Sequence, residues 1–214
     1  MNARPIAALL GATALMLVPA ACSSSTHSSS HAAPGTTGST ASAAPWSSQS
    51  PANPNLPEVN PQGDIPDNQQ YVAYSPPDHA YSVKVPEGWA RTTGPATATF
   101  TDKLNSIRVD VTKAAQAPTP ASVRAETAAY GRTAGHFALG PVDTVSRHAG
   151  KAVVARYRAD AAADPVTGKV VNDDVEKYEF WKNGALVTLT LTGPHGADNV
   201  DPWRIVTDSF RWTS

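Results

Sequence analysis

Alternation of period two, repeated in segment after segment between residues 81 and 192, most limits what this chain can fold into. Tyr81, Val83 and Val85 fall on one side of an extended backbone, with Ser82 and Lys84 on the other. Ile107, Val109 and Val111 alternate with Arg108, Asp110 and Thr112, and Val153, Ala155 and Tyr157 with Arg156 and Arg158. Tyr178 and Phe180 oppose Lys177 and Glu179; Val187, Leu189 and Leu191 oppose Thr188, Thr190 and Thr192. Segments of this kind are strands that bury one face. Residues 96–101 read as a further strand. Asn183-Gly184 is a two-residue hairpin turn that needs positive φ at both positions, and Asp164-Pro165 with Gly168 marks the turn before it. Strands over 151–162, 170–182 and 185–193 therefore form a meander.

Two helices interrupt the pattern. Thr119 is placed to cap the first, with Pro120 at its first helical position. The spacing predicts a helix running to about Ala134 and stopping at Gly135, with Val123, Thr127, Tyr130 and Ala134 facing inward. Asp201 and Pro202 start the second by the same chemistry, and Trp203, Val206 and Phe210 share its inner face. A mostly antiparallel sheet with one mid-chain and one C-terminal helix is an α+β sandwich.

The chain ahead of this pattern is different material. Residues 1–22 carry Arg4, then a 13-residue apolar core from Ile6 to Val18, then small residues up to Cys22. Thirteen helical residues span about 20 Å, short of the ~30 Å hydrocarbon core, so the segment reads as an export signal. Residues 23–66 contain 15 Ser or Thr, seven Pro, six Ala and three Gly among 44, and only Glu58 and Asp64 are charged. Trp46, Leu56, Val59 and Ile65 are too sparse to build a core, which predicts a disordered tether with an end-to-end distance of roughly 35–40 Å. Residues 67–214 then form one domain with 16 basic and 16 acidic residues.

Composition excludes several classes. With 17 basic and 18 acidic residues the net charge is −1, without the cationic surplus that nucleic-acid binding needs. The single cysteine, Cys22, allows neither an internal disulfide nor a cysteine-cluster metal site. It directly follows Pro19-Ala20-Ala21, and this resembles a bacterial lipobox, whose cysteine is diacylated and becomes the first mature residue. Pro19 departs from the aliphatic residue that pattern prefers. The alternative is ordinary cleavage after Ala20, which would leave Cys22 a free thiol.

The stretch Tyr81-Ser-Val-Lys-Val-Pro-Glu-Gly-Trp89 resembles the strand, Pro, Gly-Trp opening of PsbP-like domains. The ending, from Leu189 through Gly193-Pro194 and Asp201-Pro-Trp203 to Asp208-Ser-Phe-Arg-Trp212, is similar, with lipobox and tether, to LpqN-type actinobacterial lipoproteins. The resemblance spans nearly all of 67–214 and is densest over 81–112 and 176–212. It implies a PsbP-like α/β sandwich held by acyl (palmitate) chains on Cys22 at the outer face of the cytoplasmic membrane. It implies an accessory or partner-binding role and no established reaction.

The residues themselves carry little chemistry. His27 and His31 lie four apart in the tether, where no helix fixes the spacing. Asp198, Asn199 and Asp201 fit a helix start better than an oxygen-ligated cation site, and Asp173, Asp174 and Glu176 fit a solvated strand end. His79, His136, His148 and His195 lack zinc-site spacing, and Asp143, Ser146 and His148 lack a nucleophile elbow. Arg147, Lys151, Arg156 and Arg158 form a basic cluster suited to anionic headgroups or an acidic partner, or else to pairing with nearby acids. No catalytic, metal or cofactor-binding residue is expected, and no cofactor.

The sequence therefore reads first as a non-catalytic accessory or interaction module that docks on an envelope protein. The alternative is a carrier or sensor of a small apolar or lipid ligand, and an enzyme ranks last. An exposed apolar patch would favour the first, an enclosed apolar cavity of ~300 Å³ the second, and convergent titratable groups in a cleft the third. Anchoring is tested by Cys22→Ala: the variant is expected to lose its acyl mass and leave the membrane fraction. Membrane retention without acyl mass in that variant would refute anchoring through Cys22.

Overall fold

The computed structural model describes residues 62–213, so the signal segment, Cys22 and the tether up to residue 61 lie outside the described residues. The elements in chain order are β1 (Tyr71–Tyr74), β2 (Tyr81–Pro86), β3 (Ala90–Thr93), β4 (Thr97–Asp102), β5 (Asn105–Lys113), α1 (Pro120–Tyr130), β6 (Ala138–Arg147), β7 (Gly150–Asp160), β8 (Asn172–Lys182), β9 (Ala185–Pro194), α2 (Val200–Ser209) and β10 (Arg211–Trp212). Seven strands make one sheet in the order β3-β4-β5-β9-β8-β7-β6, and β1-β2-β10 make a second. Every pairing in both sheets is antiparallel. The fold is an α+β sandwich, and the meander expected from the sequence is β7-β8-β9. Its last turn has φ of 49° at Asn183 and 85° at Gly184, the positive pair such a hairpin needs.

Four strands escape the period-two reading, and all four are sheet edges: β1 and β10 of the small sheet, β3 and β6 of the large one. An edge strand buries less and so has less reason to alternate. All four residues of β3 are exposed. In β6 the register shifts between Leu139 and Val142, across Gly140-Pro141, where an edge tolerates the missing N–H of proline.

The helices differ in detail from expectation. Thr119 caps α1 as expected: its Oγ1 accepts from the Ser122 amide at 3.1 Å, and Ser122 Oγ accepts from the Thr119 amide at 2.9 Å. The helix ends at Tyr130 and is capped by Gly131, one turn before Gly135. Ala134 is therefore outside the helix, and Tyr130 is half-exposed, packing on Phe137 and Tyr157 instead of the core. In α2 the N-cap is Asn199 and not Asp201, which lies in the exposed first turn beside the helix-start dipole.

The main core lies between the large sheet and the layer made by β2 and α2. Ile107, Val109, Val154, Tyr178, Phe180, Val187, Leu189 and Leu191 fill it from the large sheet. Phe210 closes it, stacked 4.4 Å from Phe180 and 5.7 Å from Tyr81 between ring centroids. On the other face of the large sheet, Val153 and Ala155 of β7 and Val142 of β6 pack under Val123 of α1. Strand β7 is thus buried on both faces over residues 152–155, and Arg156 and Arg158 continue the side of Ala152 and Val154.

The N-terminal end of the domain is fastened by two buried asparagines. Asn199 Oδ1 accepts from the Ile65 amide at 2.8 Å, and its Nδ2 donates to Gly63 O at 3.0 Å and Asn105 Oδ1 at 3.1 Å. Asn105 Nδ2 donates to the same Gly63 carbonyl at 2.9 Å. Ile65, assigned to the tether from composition, is a core residue only 4% exposed. Its burial depends on these bonds, which no local pattern announces, and it brings residues 63–65 into the folded part. Asn199→Ala is expected to lower stability by about 2–4 kcal/mol, because the Ile65 amide and the Asn105 side chain lose buried partners. A urea unfolding midpoint unchanged from the parent chain would contradict this.

Candidate functional site

The first turn of α2 and the ends of β6, β7 and β8 enclose a cleft of 360 Å³, open to solvent on one side. Arg156 and Arg158 are two apart on β7 and share a side, and Asp174 and Glu176 do the same on β8. The strand register sets Arg156 opposite Glu176 and Arg158 opposite Asp174. The basic and acidic clusters, separate in sequence, are the two halves of one wall of this cleft. Opposite charges facing across a strand pair contribute ~0.2–1 kcal/mol each.

The wall is wired in a definite order. Arg156 Nε donates to Glu176 Oε1 at 2.6 Å, and Asp143 lies 3.9 Å from the same guanidinium. Tyr178 donates its hydroxyl to Glu176 Oε2 at 2.6 Å and accepts from Arg147 Nη2 at 3.0 Å. Arg147 Nε reaches α2 through Thr207 Oγ1 at 3.1 Å and Asp208 at 3.4 Å. At the outer end His195 Nδ1 is 2.8 Å from Asp174 Oδ2 and its Nε2 is 3.2 Å from Arg158 Nη1. Since Arg158 can only donate, Nε2 is the acceptor and Nδ1 carries the proton given to Asp174. Partial burial works against the Arg156 charge, but Glu176 outweighs it and the guanidinium pKa lies above its ordinary value. Apolar surface enters from α2: Trp203 lines the cleft, and Val200, 72% exposed, stands on its lip.

The other sequence candidates are placed elsewhere. Lys151 stands apart from the three arginines: it is out of phase with Arg156 and Arg158 on β7 and lies opposite Ser146, the neighbour of Arg147 on β6. Asp173 is one step out of phase with Asp174, so it turns to the other face of β8 and is buried. Its burial, reinforced by Asp174 and Asp160, pushes its pKa up to about 6. Asn199 is taken by the bonds to Gly63, Ile65 and Asn105, and the Asp198 amide donates to Asp64 at 2.9 Å, so the Asp198-Asn199-Asp201 run is structural. Among the described residues no three His, Cys, Asp or Glu side chains converge as metal ligands. His136 pairs with Asp160 at 2.7 Å, and His148 Nδ1 lies 2.8 Å from the Asp208 carbonyl. Asp143 and Ser146, three apart on β6, alternate to opposite sides. His27 and His31 lie outside the described residues.

No family model and no curated protein matches the chain. Among solved structures it is similar to cyanobacterial PsbP (CyanoP) from Synechocystis, with 14% identity over 71% of this chain and 98% of that one and a TM-score of 0.51. It is also similar to LpqN of Mycobacterium tuberculosis, described as involved in cell envelope biogenesis, with 14% identity over 69% of this chain and 93% of that one and a TM-score of 0.42. The Ran-binding protein Mog1p of Saccharomyces cerevisiae gives 11% identity over 67% of this chain and 96% of that one, with a TM-score of 0.45. The likeness to CyanoP shows a PsbP-like fold, as expected from the Tyr81–Trp89 and Leu189–Trp212 stretches, and at this identity it shows the fold alone.

Asp173 makes a testable contribution to stability. Its folded pKa of about 6 lies above the unfolded value of about 4, so the native state binds the extra proton between the two. Stability should therefore fall as pH rises from about 4 to 6 and then level off. Asp173→Asn removes that loss, and is expected to stabilise by about 1–2 kcal/mol at pH 7.5 but little at pH 4. Equal effects at the two pH values in thermal unfolding would rule out this assignment.

Proposed function

We propose that this chain is an exported lipoprotein, anchored through Cys22 at the outer face of the cytoplasmic membrane, whose PsbP-like domain is a non-catalytic module that docks on a protein of the cell envelope. One observation carries the docking reading: the open cleft of 360 Å³ in which a wall of paired charge meets the exposed Val200 and an edge of the otherwise buried Trp203. A surface that combines an apolar anchor with a polar, hydrogen-bonding rim has the anatomy of a protein interface. The Arg156–Glu176 and Asp174–His195–Arg158 contacts hold the wall in place before any partner arrives, which reduces the ordering cost of binding. The lipobox at Cys22, the polar composition of residues 23–61 and the likeness of the sequence to LpqN-type lipoproteins support the envelope location.

The test is site-specific photocrosslinking in the intact envelope, with a benzophenone side chain at position 200 of the full-length chain. A discrete protein adduct is expected, and Arg158→Glu, which reverses one charge of the wall, should reduce its yield about fivefold or more. A crosslink pattern without a discrete adduct, or one indifferent to Arg158→Glu, would defeat the proposal.

A further inference from the structure

A second cleft, of 570 Å³, lies between the two sheets, bounded by the loop from β1 to β2 and the turn from β3 to β4. Its size falls within the ~300–1,000 Å³ of small-molecule sites. Tyr74, Tyr81 and Val111 supply apolar surface, and Arg91 and Thr97 supply polar groups. Three of these groups have donor capacity that the protein does not use. Tyr81 is only 2% exposed and its ring is packed against Phe210, yet its hydroxyl makes no hydrogen bond among the described residues. Thr97 Oγ1 is buried and has no hydrogen-bond partner either. The Arg91 guanidinium lies 5.8 Å above the Tyr74 ring centroid and pairs with no carboxylate among the described residues.

Leaving a buried hydroxyl without a partner costs ~1–3 kcal/mol, and Thr97 Oγ1 is the one buried side-chain polar atom among the described residues that has none. Burial, with smaller effects from Tyr74, Asp78 and Asp110, pushes the Tyr81 pKa upward, so this phenol stays a donor at any working pH. Asp78 at the mouth is the one carboxylate of the lining, and its Oδ1 already accepts from the Ala80 amide at 3.2 Å. His79, the titratable residue next to it, holds the left-handed φ of 51°. That sparsely occupied conformation shapes the loop over the cleft, where the His79 carbonyl accepts from the Thr213 hydroxyl.

We infer that this cleft binds a small organic carboxylate, with the anionic group held by Arg91 and the Tyr81 and Thr97 hydroxyls and the apolar body lying against Tyr74 and Val111. The complement of three unused donors beside an aromatic floor is an acceptor-rich anion joined to apolar carbon. This site is separate from the docking cleft and does not depend on it, since the two share no lining residue.

The test is nuclear magnetic resonance titration of the isotope-labelled full chain with phenylacetate, and with phenylacetamide as its neutral counterpart. Phenylacetate is expected to shift the Thr97 and Val111 amide signals saturably and to bind about tenfold more tightly than the amide. Arg91 is exposed, so Arg91→Gln should fold normally and abolish that preference. Tyr81→Phe keeps the packed ring and should weaken phenylacetate binding about fivefold or more. Equal binding of acid and amide by the parent chain, shifts confined to residues outside the cleft, or acid preference retained in Arg91→Gln would each overturn the inference.

Discussion

The buried pair Asn105–Asn199 is the contact on which the arrangement of the domain turns. It joins three parts of the chain that are otherwise distant: the entering segment at Gly63–Ile65, the start of β5 and the start of α2. The pair is possible because residue 193 is glycine. A Cβ there would stand 2.6 Å from Asn105 Oδ1 and 2.7 Å from Asn199 Nδ2, closer than real contacts allow. Two primary amides with most of their capacity used in a dry setting are worth more than the same bonds at a surface, and they specify one arrangement. Because Asn199 is also the N-cap of α2, the lock sets where that helix begins.

That start position has consequences for both layers. With α2 seated, Trp203, Val206 and Phe210 close the main core, and Phe210 stacks between rings from the two sheets. Ser209 at the end of the helix accepts from the Lys84 amide at 2.8 Å, and β10 pairs with β2, so the small sheet is drawn onto the same helix. The first turn of α2 overhangs the ends of β6–β8 and turns a charged strand surface into a cleft. Arg147 ties wall and helix together through Tyr178 on one side and Thr207 on the other. Fold stability and the shape of the charged cleft thus rest on the same few side chains.

The parts legible in the sequence were those whose signal is local. Central strands such as β5 and β9 alternate because one face is buried along their length, and Asn183-Gly184 announces its turn because few residue pairs accept positive φ twice. Edge strands were illegible for the converse reason: β3 buries nothing, and Gly140-Pro141 breaks the pattern of β6. The charged cleft was half legible. Its arginines and its acids were each noticed as clusters, but the pairing of Arg156 with Glu176 and of Arg158 with Asp174 depends on strand register. Nothing in the sequence pointed to Tyr81, Thr97 and Arg91 as neighbours of one cleft. Tyr81 in particular reads as a plain core aromatic, and only its unused hydroxyl distinguishes it.

By itself, then, the sequence determined the class of the folded part: an antiparallel α+β domain with helices near 120 and 200. Those features follow from composition, hydropathy and backbone chemistry within a few residues of each other. The tertiary structure decided which charges meet, which hydroxyls go unpartnered, that Ile65 belongs to the core, and that Asn199 rather than Asp201 begins the last helix. Each of these depends on contacts between residues up to 136 positions apart, as between Gly63 and Asn199. Pairings of that kind are set by packing and register across the sheets, and no property of a short segment encodes them.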